Sequence, residues 1–282
     1  DGMLVDDSMF EHSLSWFDCD TLVLDLETTG LNPDCKDDIC GVALLNPYTG
    51  ATAYYPFRHM IGSNLPRDKV ADLVSLINSA TTIIGHNIKF DLRFLYRVGL
   101  NPPEQIKDMM LGYHLLDENA DGFSLKGICG RLFGKKSISG EAQLERDLAI
   151  WGYKKGDMWK LPPDKVAPYA IDDVKLTHRL CDWLLHKLAE EDQAMVDLWY
   201  EVSRFTAPIS MMEHYGLHVN AATNRVCMTE CKLQMGLVTQ KIHEMSGKKI
   251  NPNSPAQVSS WLKVQTTASA ELRKMKSKKA DM

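Results

Sequence analysis

The octapeptide Thr21-Leu-Val-Leu-Asp-Leu-Glu-Thr28 sets the strictest condition on the fold. Apolar and β-branched residues recurring at period two predict a strand. Leu22, Leu24 and Leu26 then share one face, and Val23, Asp25 and Glu27 share the other. Two carboxylates therefore project side by side, one arm a methylene longer. Like charges this close resist joint ionisation unless a cation neutralises them. Taken alone, the same pattern also fits a sheet edge open to water.

The rest of the chain has to supply a sheet for this strand and a cover for its apolar face. Segments 38–46 and 51–59 predict two further strands, joined by the turn Pro47-Tyr-Thr-Gly50. Helical spacing follows over 66–80, then a short buried strand over 81–85 and a helix from about 88 to 98. Segments 106–116 and 124–133 predict helices. Segment 134–163, rich in Gly, Lys and Trp, reads as partly irregular. Pro163 opens a long helix reaching roughly Glu191. Strands first and helices later, with one strand–helix crossover, predict an α/β fold, a mixed sheet flanked by helices. Beyond 191 the chain reads as all helical, with helices over 193–215 and 221–246 and a third starting at Asn253-Ser-Pro-Ala-Gln257, capped by Ser254. The division expected is an N-terminal extension (1–18), an α/β domain (19–191) and a helical appendix (192–282).

Two more places hold acids where a core prefers carbon. Gly85-His-Asn-Ile-Lys-Phe-Asp91 straddles a strand end and a helix start, with Asn87 as N-cap and Asp91 one turn later on the same side. Ligands of α/β folds collect at such strand ends, although an ordinary capped helix has the same look. On the long helix, Tyr169, Asp173, Leu176, Leu180 and Leu184 follow 4-3-4-4 spacing and share one stripe. Asp173 thereby falls on an inward-facing line, where an unpaired charge is costly. An Asp paired with Arg or Lys at the helix edge is the simpler alternative. Lys135, Lys136, Trp151, Tyr153, Lys154, Lys155 and Trp159 interleave bases with aromatics, as single-strand binders do. Core aromatics beside exposed lysines produce the same pattern.

Charge and cysteine content bound the partners. The net charge is −5, but residues 1–40 hold eleven acids and one base, so the remaining chain carries +5, and 261–282 alone carries +4. Local positive charge of this kind can attract phosphate. Seven cysteines with no CxxC pair predict reduced, mostly buried thiols and an intracellular compartment. No apolar run approaches the ~18 residues of a membrane span, and no signal-peptide pattern opens the chain. Gly-rich phosphate loops and Ser-His-Asp patterns are also missing from the sequence.

Asp-x-Glu on the first strand, Asn-x-x-x-Asp near the middle and Tyr-x-x-x-Asp on a late helix, in that order, resemble the DEDD-type 3′–5′ exonucleases of the ribonuclease H-like fold. Leu24-Asp-Leu-Glu-Thr-Thr-Gly-Leu31, His86-Asn-Ile-Lys-Phe-Asp91 and Tyr169-Ala-Ile-Asp-Asp173 are most similar to the proofreading domain of family-A DNA polymerases. The resemblance covers about residues 19–190. Segments 208–220 and 251–257 resemble the entry into the polymerase thumb, while the palm's acidic motifs are missing before Met282.

The resemblance implies a ribonuclease H-like sheet with a thumb-like helical appendix, and hydrolysis of DNA 3′ ends to nucleoside 5′-monophosphates. It implies two divalent cations, Mg²⁺ or Mn²⁺, held by Asp25, Glu27, Asp91 and Asp173, with Tyr169 orienting water. Thr28 and Leu31 would border the terminal nucleotide, and His86, Asn87 and Phe90 the strand's path, although the family often has Gln and Tyr where His86 and Phe90 stand. The expected partners are a single-stranded DNA 3′ end and a polymerase module in cis or other replication proteins. The alternatives are a ribonuclease D-like RNA trimmer and a non-catalytic DNA-binding scaffold.

Overall fold

The computed structural model describes residues 2–263. The basic run at the C-terminal end lies, from residue 264 onward, outside the described residues. The chain forms two compact units, divided between Gly216 and Leu217.

The first unit is built on a six-stranded mixed sheet. In chain order its strands are β1 (Met3–Leu4), β2 (Thr21–Thr28), β3 (Ile39–Leu45), β4 (Thr52–Pro56), β5 (Thr82–Gly85) and β6 (Gln105–Asp108), arranged β1-β4-β3-β2-β5-β6. β2, β3 and β4 form the expected antiparallel meander, whereas β5 lies parallel to β2 and β6 parallel to β5. The central strand β2 pairs Asp25 with Ala43 and Glu27 with Gly41, and its register shifts between Glu27 and Thr28. Such a bulge re-aims the chain at a strand end.

Each sheet face carries its own core. Leu22, Leu24, Leu26, Val42, Leu44 and Tyr55 pack beneath Phe10, Phe17 and the helices α2 (Lys69–Ser79) and α3 (Lys89–Tyr96). Val23, Ala43, Leu45, Tyr54 and Ile84 pack on the other face. Their cover is α4 (Met109–Leu116), α5 (Leu125–Phe133), α6 (Ser139–Ile150) and the 29-residue α7 (Pro163–Glu191). The β2 alternation read from sequence therefore points Asp25 and Glu27 toward α7. The stripe of Tyr169, Asp173, Leu176, Leu180 and Leu184 is buried on α7 as its spacing required.

Several sequence expectations need correction. Residues 105–108 are strand, not helix: β6 runs directly into α4 with no intervening turn, and only the Asp108 cap marks the boundary. Segment 134–163 contains a full helix, α6, whose Leu144 and Leu148 are buried one turn apart amid unpromising composition. Segment 193–215 is two helices, α8 (Gln193–Arg204) and α9 (Thr206–Tyr215), and both lie in the first unit, not in an appendix. Pro208 has no N–H to offer the Arg204 carbonyl, which breaks the continuous helix at Phe205. Residues before 19 are no loose extension: β1 joins the sheet edge and Phe10 and Phe17 are fully buried. Of the seven free cysteines only Cys40, Cys129 and Cys181 are buried.

The second unit contains α10 (Ala221–Ser246), whose N-terminus is capped by Asn220 Oδ1 accepting from the amides of Ala222 and Thr223, both at 3.1 Å. Gly247 ends it in the left-handed region at φ 65°. Ser254 Oγ accepts from the Gln257 amide at 3.5 Å at the next helix start. Among the described residues no helix is long and apolar enough to cross a membrane.

Candidate active site

The four sequence-selected acids arrive from three elements at one end of the sheet. β2 delivers Asp25 and Glu27, α3 delivers Asp91, and α7 delivers Asp173 together with Tyr169. Because β2 and β5 run parallel, α3 starts at the carboxyl end of the strand beside β2. Asp91 Oδ1 accepts from the Leu26 amide at 3.1 Å, which ties α3 to β2 between the two β2 acids. Glu27, Asp91 and Asp173 are buried, with relative exposures of 6%, 4% and 7%, and Tyr169 is 8% exposed.

The members of the group feel one another's charge. Burial pushes the Asp25 carboxyl up to about 7, partly offset by Lys126. Burial raises Glu27 well above the usual carboxylate range, and the charge of Asp25 raises it further. Asp91 is raised by burial and again by Asp25. The Tyr169 phenol is held up by burial and by Glu27 and Asp25, so it stays protonated. Asp25 is thus the shared neighbour of Glu27, Asp91 and Tyr169, and Asp173 pairs with Lys126.

Lys126 and its surroundings carried no signal in the sequence reading. The residue lies in the first turn of α5, just after the Ser124 cap, whose hydroxyl accepts from the Gly127 amide at 3.2 Å. Its Nζ donates to Asp173 Oδ1 and stands 4.5 Å from the Tyr169 ring centroid. Lys155 Nζ is 5.9 Å from the same centroid and pairs with Glu141 at 2.5 Å. Behind Glu27, the His59 ring links the Leu161 carbonyl (2.8 Å) to the Tyr54 hydroxyl (2.8 Å) and the Cys40 thiol (3.4 Å). Gly41, opposite Glu27, makes room for this: a Cβ there would fall onto the Tyr54 phenol. A glycine inside a strand pattern was the available clue.

The expected substrate contacts divide. Leu31 is 80% exposed, which removes core packing as its explanation. Thr28 spends its hydroxyl on the Gly30 carbonyl at 2.7 Å. Phe90 is half-buried against Phe94, with centroids 5.1 Å apart. His86 shares a hydrogen bond of 2.8 Å with the Phe123 carbonyl through Nε2, and burial lowers its ring to about 4, so it is neutral. Asn87 is not the helix cap. It sits at φ 56°, and the Asp108 carboxylate accepts from the Asn87 and Ile88 amides at 3.0 and 3.1 Å. In the aromatic and basic stretch, Trp151 is 42% exposed and stacks on Tyr153 at 6.5 Å, while Lys160 lies 5.4 Å from the Tyr153 centroid.

Hard oxygen donors without thiolate or imidazole fit Mg²⁺ or Mn²⁺. Desolvated acids whose charges oppose one another stay raised despite Lys126 and Lys155, and a dication would supply the further counter-charge. The chemistry of the donor set therefore fits such ions; among the described residues no three acids are grouped closely enough to hold one as they stand, and Asp173 is turned to Lys126. This state makes a pH prediction. Folded Asp25 and Asp108 bind protons up to about 7 and about 6, against 3.8 unfolded. Protein in chelator should therefore gain stability as pH falls from about 8 to about 6.5. Below that the gain should continue toward pH 5, because the two carboxyls take up two protons against the one that His86, lowered from 6.5 to about 4, fails to take. Denaturant unfolding across this range checks it; stability falling from pH 8 to 6.5 contradicts it.

Comparison with known proteins agrees with this architecture. A 3′–5′ exonuclease family model matches residues 11–189. DNA polymerase DpoZ of Acinetobacter phage SH-Ab 15497 is 26% identical over 246 residues, covering 82% of this chain and 36% of the phage protein. DNA polymerase I of Pseudomonas aeruginosa is 23% identical over 255 residues, covering 87% and 27%. The chain thus spans about a third of the length of these relatives. Among solved structures, the POL domain of Pol1 from M. smegmatis in complex with DNA primer-template and dNTP superposes with TM-score 0.60 at 18% identity, covering 91% of this chain and 40% of that one. Brucella melitensis NrnC bound to pGG gives 0.52 at 24% identity, covering 73% and 91%. With a ribonuclease H-like sheet and a family match over most of the first unit, the chain belongs to the 3′–5′ exonuclease family of the family-A DNA polymerases.

Proposed function

We propose that this chain hydrolyses DNA from the 3′ end, releasing nucleoside 5′-monophosphates, as the proofreading part of a family-A DNA polymerase. The observation that supports the reading is the electrostatic coupling of Asp25 on β2 with Glu27, with Asp91 of α3 and with the protonated Tyr169 of α7, beside which Lys126 holds Asp173. Asp25, Glu27, Asp91 and Asp173 would hold the divalent cations. Bound there, two such ions would neutralise the phosphate, lower the pKa of the attacking water and stabilise the leaving oxygen.

The chain's own groups supply position. Tyr169 keeps its phenolic proton, so it can hold a water by hydrogen bonding but cannot act as the base. Leu31, held out in solvent, offers an apolar wedge for the last bases. His86 is uncharged, which suits it to line the strand's path without gripping phosphate. No base-reading motif is apparent, so the reading carries no sequence preference. The polymerase in cis is inferred from the relatives, in which the matched region is about a third of the chain.

End-labelled single-stranded DNA, duplex DNA and matched single-stranded RNA, each incubated with Mg²⁺ or with chelator, test the proposal. The expected result is stepwise shortening from the 3′ end, faster on single-stranded DNA and dependent on metal. Preference for RNA would move the assignment to RNA 3′-end trimming, and no metal-dependent hydrolysis of any substrate would leave a binding module.

A further inference from the structure

We propose that Lys126 is a lock on the acid cluster: its ammonium holds Asp173 in the metal-free protein, and a divalent cation must displace it to complete the site. This rests on the reading that the acids bind metal. Both partners of the Lys126–Asp173 pair are nearly dry, with side-chain exposures of 11% and 9%. An ammonium in such a place is stable only with partners. Lys126 has two of different chemistry, the Asp173 carboxylate and the face of Tyr169 at 4.5 Å. These are the two residues that α7 contributes to the site.

The charge of Lys126 also reaches Asp25 and Glu27, opposing the rise that burial imposes on both. Lys155 also lowers Glu27, but it acts after Lys126, is engaged by Glu141 at 2.5 Å and is not among the charges felt by Asp25. Lys126 is therefore the cation closest to neutralising the cluster from inside. An ammonium and a dication repel at short range, so the two cannot both use Asp173. Competition for one carboxylate makes their binding linked: whatever the lysine contributes to the metal-free state, the metal must overcome. Such a lock keeps like charges from splaying α7 away from β2 when no metal is present.

Mn²⁺ titration of the full chain by calorimetry at mildly alkaline pH, where proton competition is least, tests this. Lys126→Met should bind Mn²⁺ at least about tenfold more tightly than wild type, about 1.4 kcal/mol. Lys126→Gln, which keeps a neutral hydrogen-bonding arm, should behave like Lys126→Met. Lys126→Arg, which keeps the charge, should stay close to wild type. In chelator, both neutral variants should unfold at lower denaturant than wild type. Equal Mn²⁺ affinity in wild type and the neutral variants would overturn the lock, as would Lys126→Arg binding as tightly as Lys126→Met. Asp25→Asn separates the two levels. If wild type binds Mn²⁺, Asp25→Asn does not and the neutral Lys126 variants match wild type, the lock alone fails. If neither wild type nor the neutral Lys126 variants bind Mn²⁺, the metal reading fails and takes the lock with it.

Discussion

Replacing Asp25 with Ala should lower the rate of 3′-end hydrolysis at least about a thousandfold, about 4 kcal/mol of transition-state stabilisation, while leaving the fold intact. The size follows from where Asp25 stands. It is the acid whose charge is felt by Glu27, by Asp91 and by the Tyr169 phenol, so the charge field of the site is centred on it. Folding does not need that charge. Asp25 lies between Leu24 and Leu26, both buried on the opposite face, and its backbone pairs with Ala43 whatever the side chain. Removing it relieves repulsion on Glu27 and Asp91, so the variant should be as stable as wild type in chelator, or more so. Active sites commonly trade stability for function in this way. Single-turnover hydrolysis of labelled DNA, with unfolding measured on the same preparations, gives both numbers. Activity within tenfold of wild type would remove Asp25 from the chemistry.

Asp25, Glu27 and Asp173 were legible because each sat against a simple periodicity. Period two placed Asp25 and Glu27 on one face of β2, and 4-3-4-4 spacing placed Asp173 below Tyr169 on α7. What sequence could not supply was the partner of each acid. Lys126 lies 47 residues from Asp173, and nothing in the Ser124-capped helix start distinguishes it from a solvated lysine. Asp91 was selected from an N-cap pattern that the structure does not use: Asn87 takes a left-handed conformation, and a carboxylate from β6 holds the turn that opens α3. The boundaries that failed did so for a related reason. β6 and α6 are short or compositionally plain, and their apolar residues acquire meaning only from the helices they meet. The break at Phe205 is local, since Pro208 announces it, but docking of α9 on α3 is tertiary. Ala207, buried in the core beneath the sheet, and Ser210 Oγ, donating to the Lys89 carbonyl at 3.1 Å, mark that contact.

Asp108 is the residue whose loss should most damage the fold around the site. Its carboxylate accepts from three amides, those of Asn87 (3.0 Å), Ile88 (3.1 Å) and Met110 (2.9 Å), so it caps α4 and holds the turn that opens α3. Its backbone is engaged as well: its amide donates to Ser203 Oγ at 3.3 Å and its carbonyl accepts from Trp199 Nε1 at 2.9 Å, both on α8. The side chain is 2% exposed, and burial lifts its carboxyl to about 6 against the pull of those amides. Near neutral pH it is therefore ionised and fully used. Asp108→Ala should leave buried amides without acceptors at about 1–3 kcal/mol each, for a total loss of about 3–5 kcal/mol. Asp108→Asn, which keeps the shape but puts an NH₂ group against an amide donor, should lose a substantial part of the same amount. Because Asn87 at φ 56° depends on this anchor, release of the turn should also let α3 shift and carry Asp91 off the Leu26 amide. Activity should then fall in Asp108→Ala even well below its unfolding temperature, although Asp108 touches no substrate in this reading. Denaturant unfolding and hydrolysis on the same samples separate the two effects. A stability loss under about 1 kcal/mol would mean that water replaces the carboxylate at those amides, and that the turn is held by α8 alone.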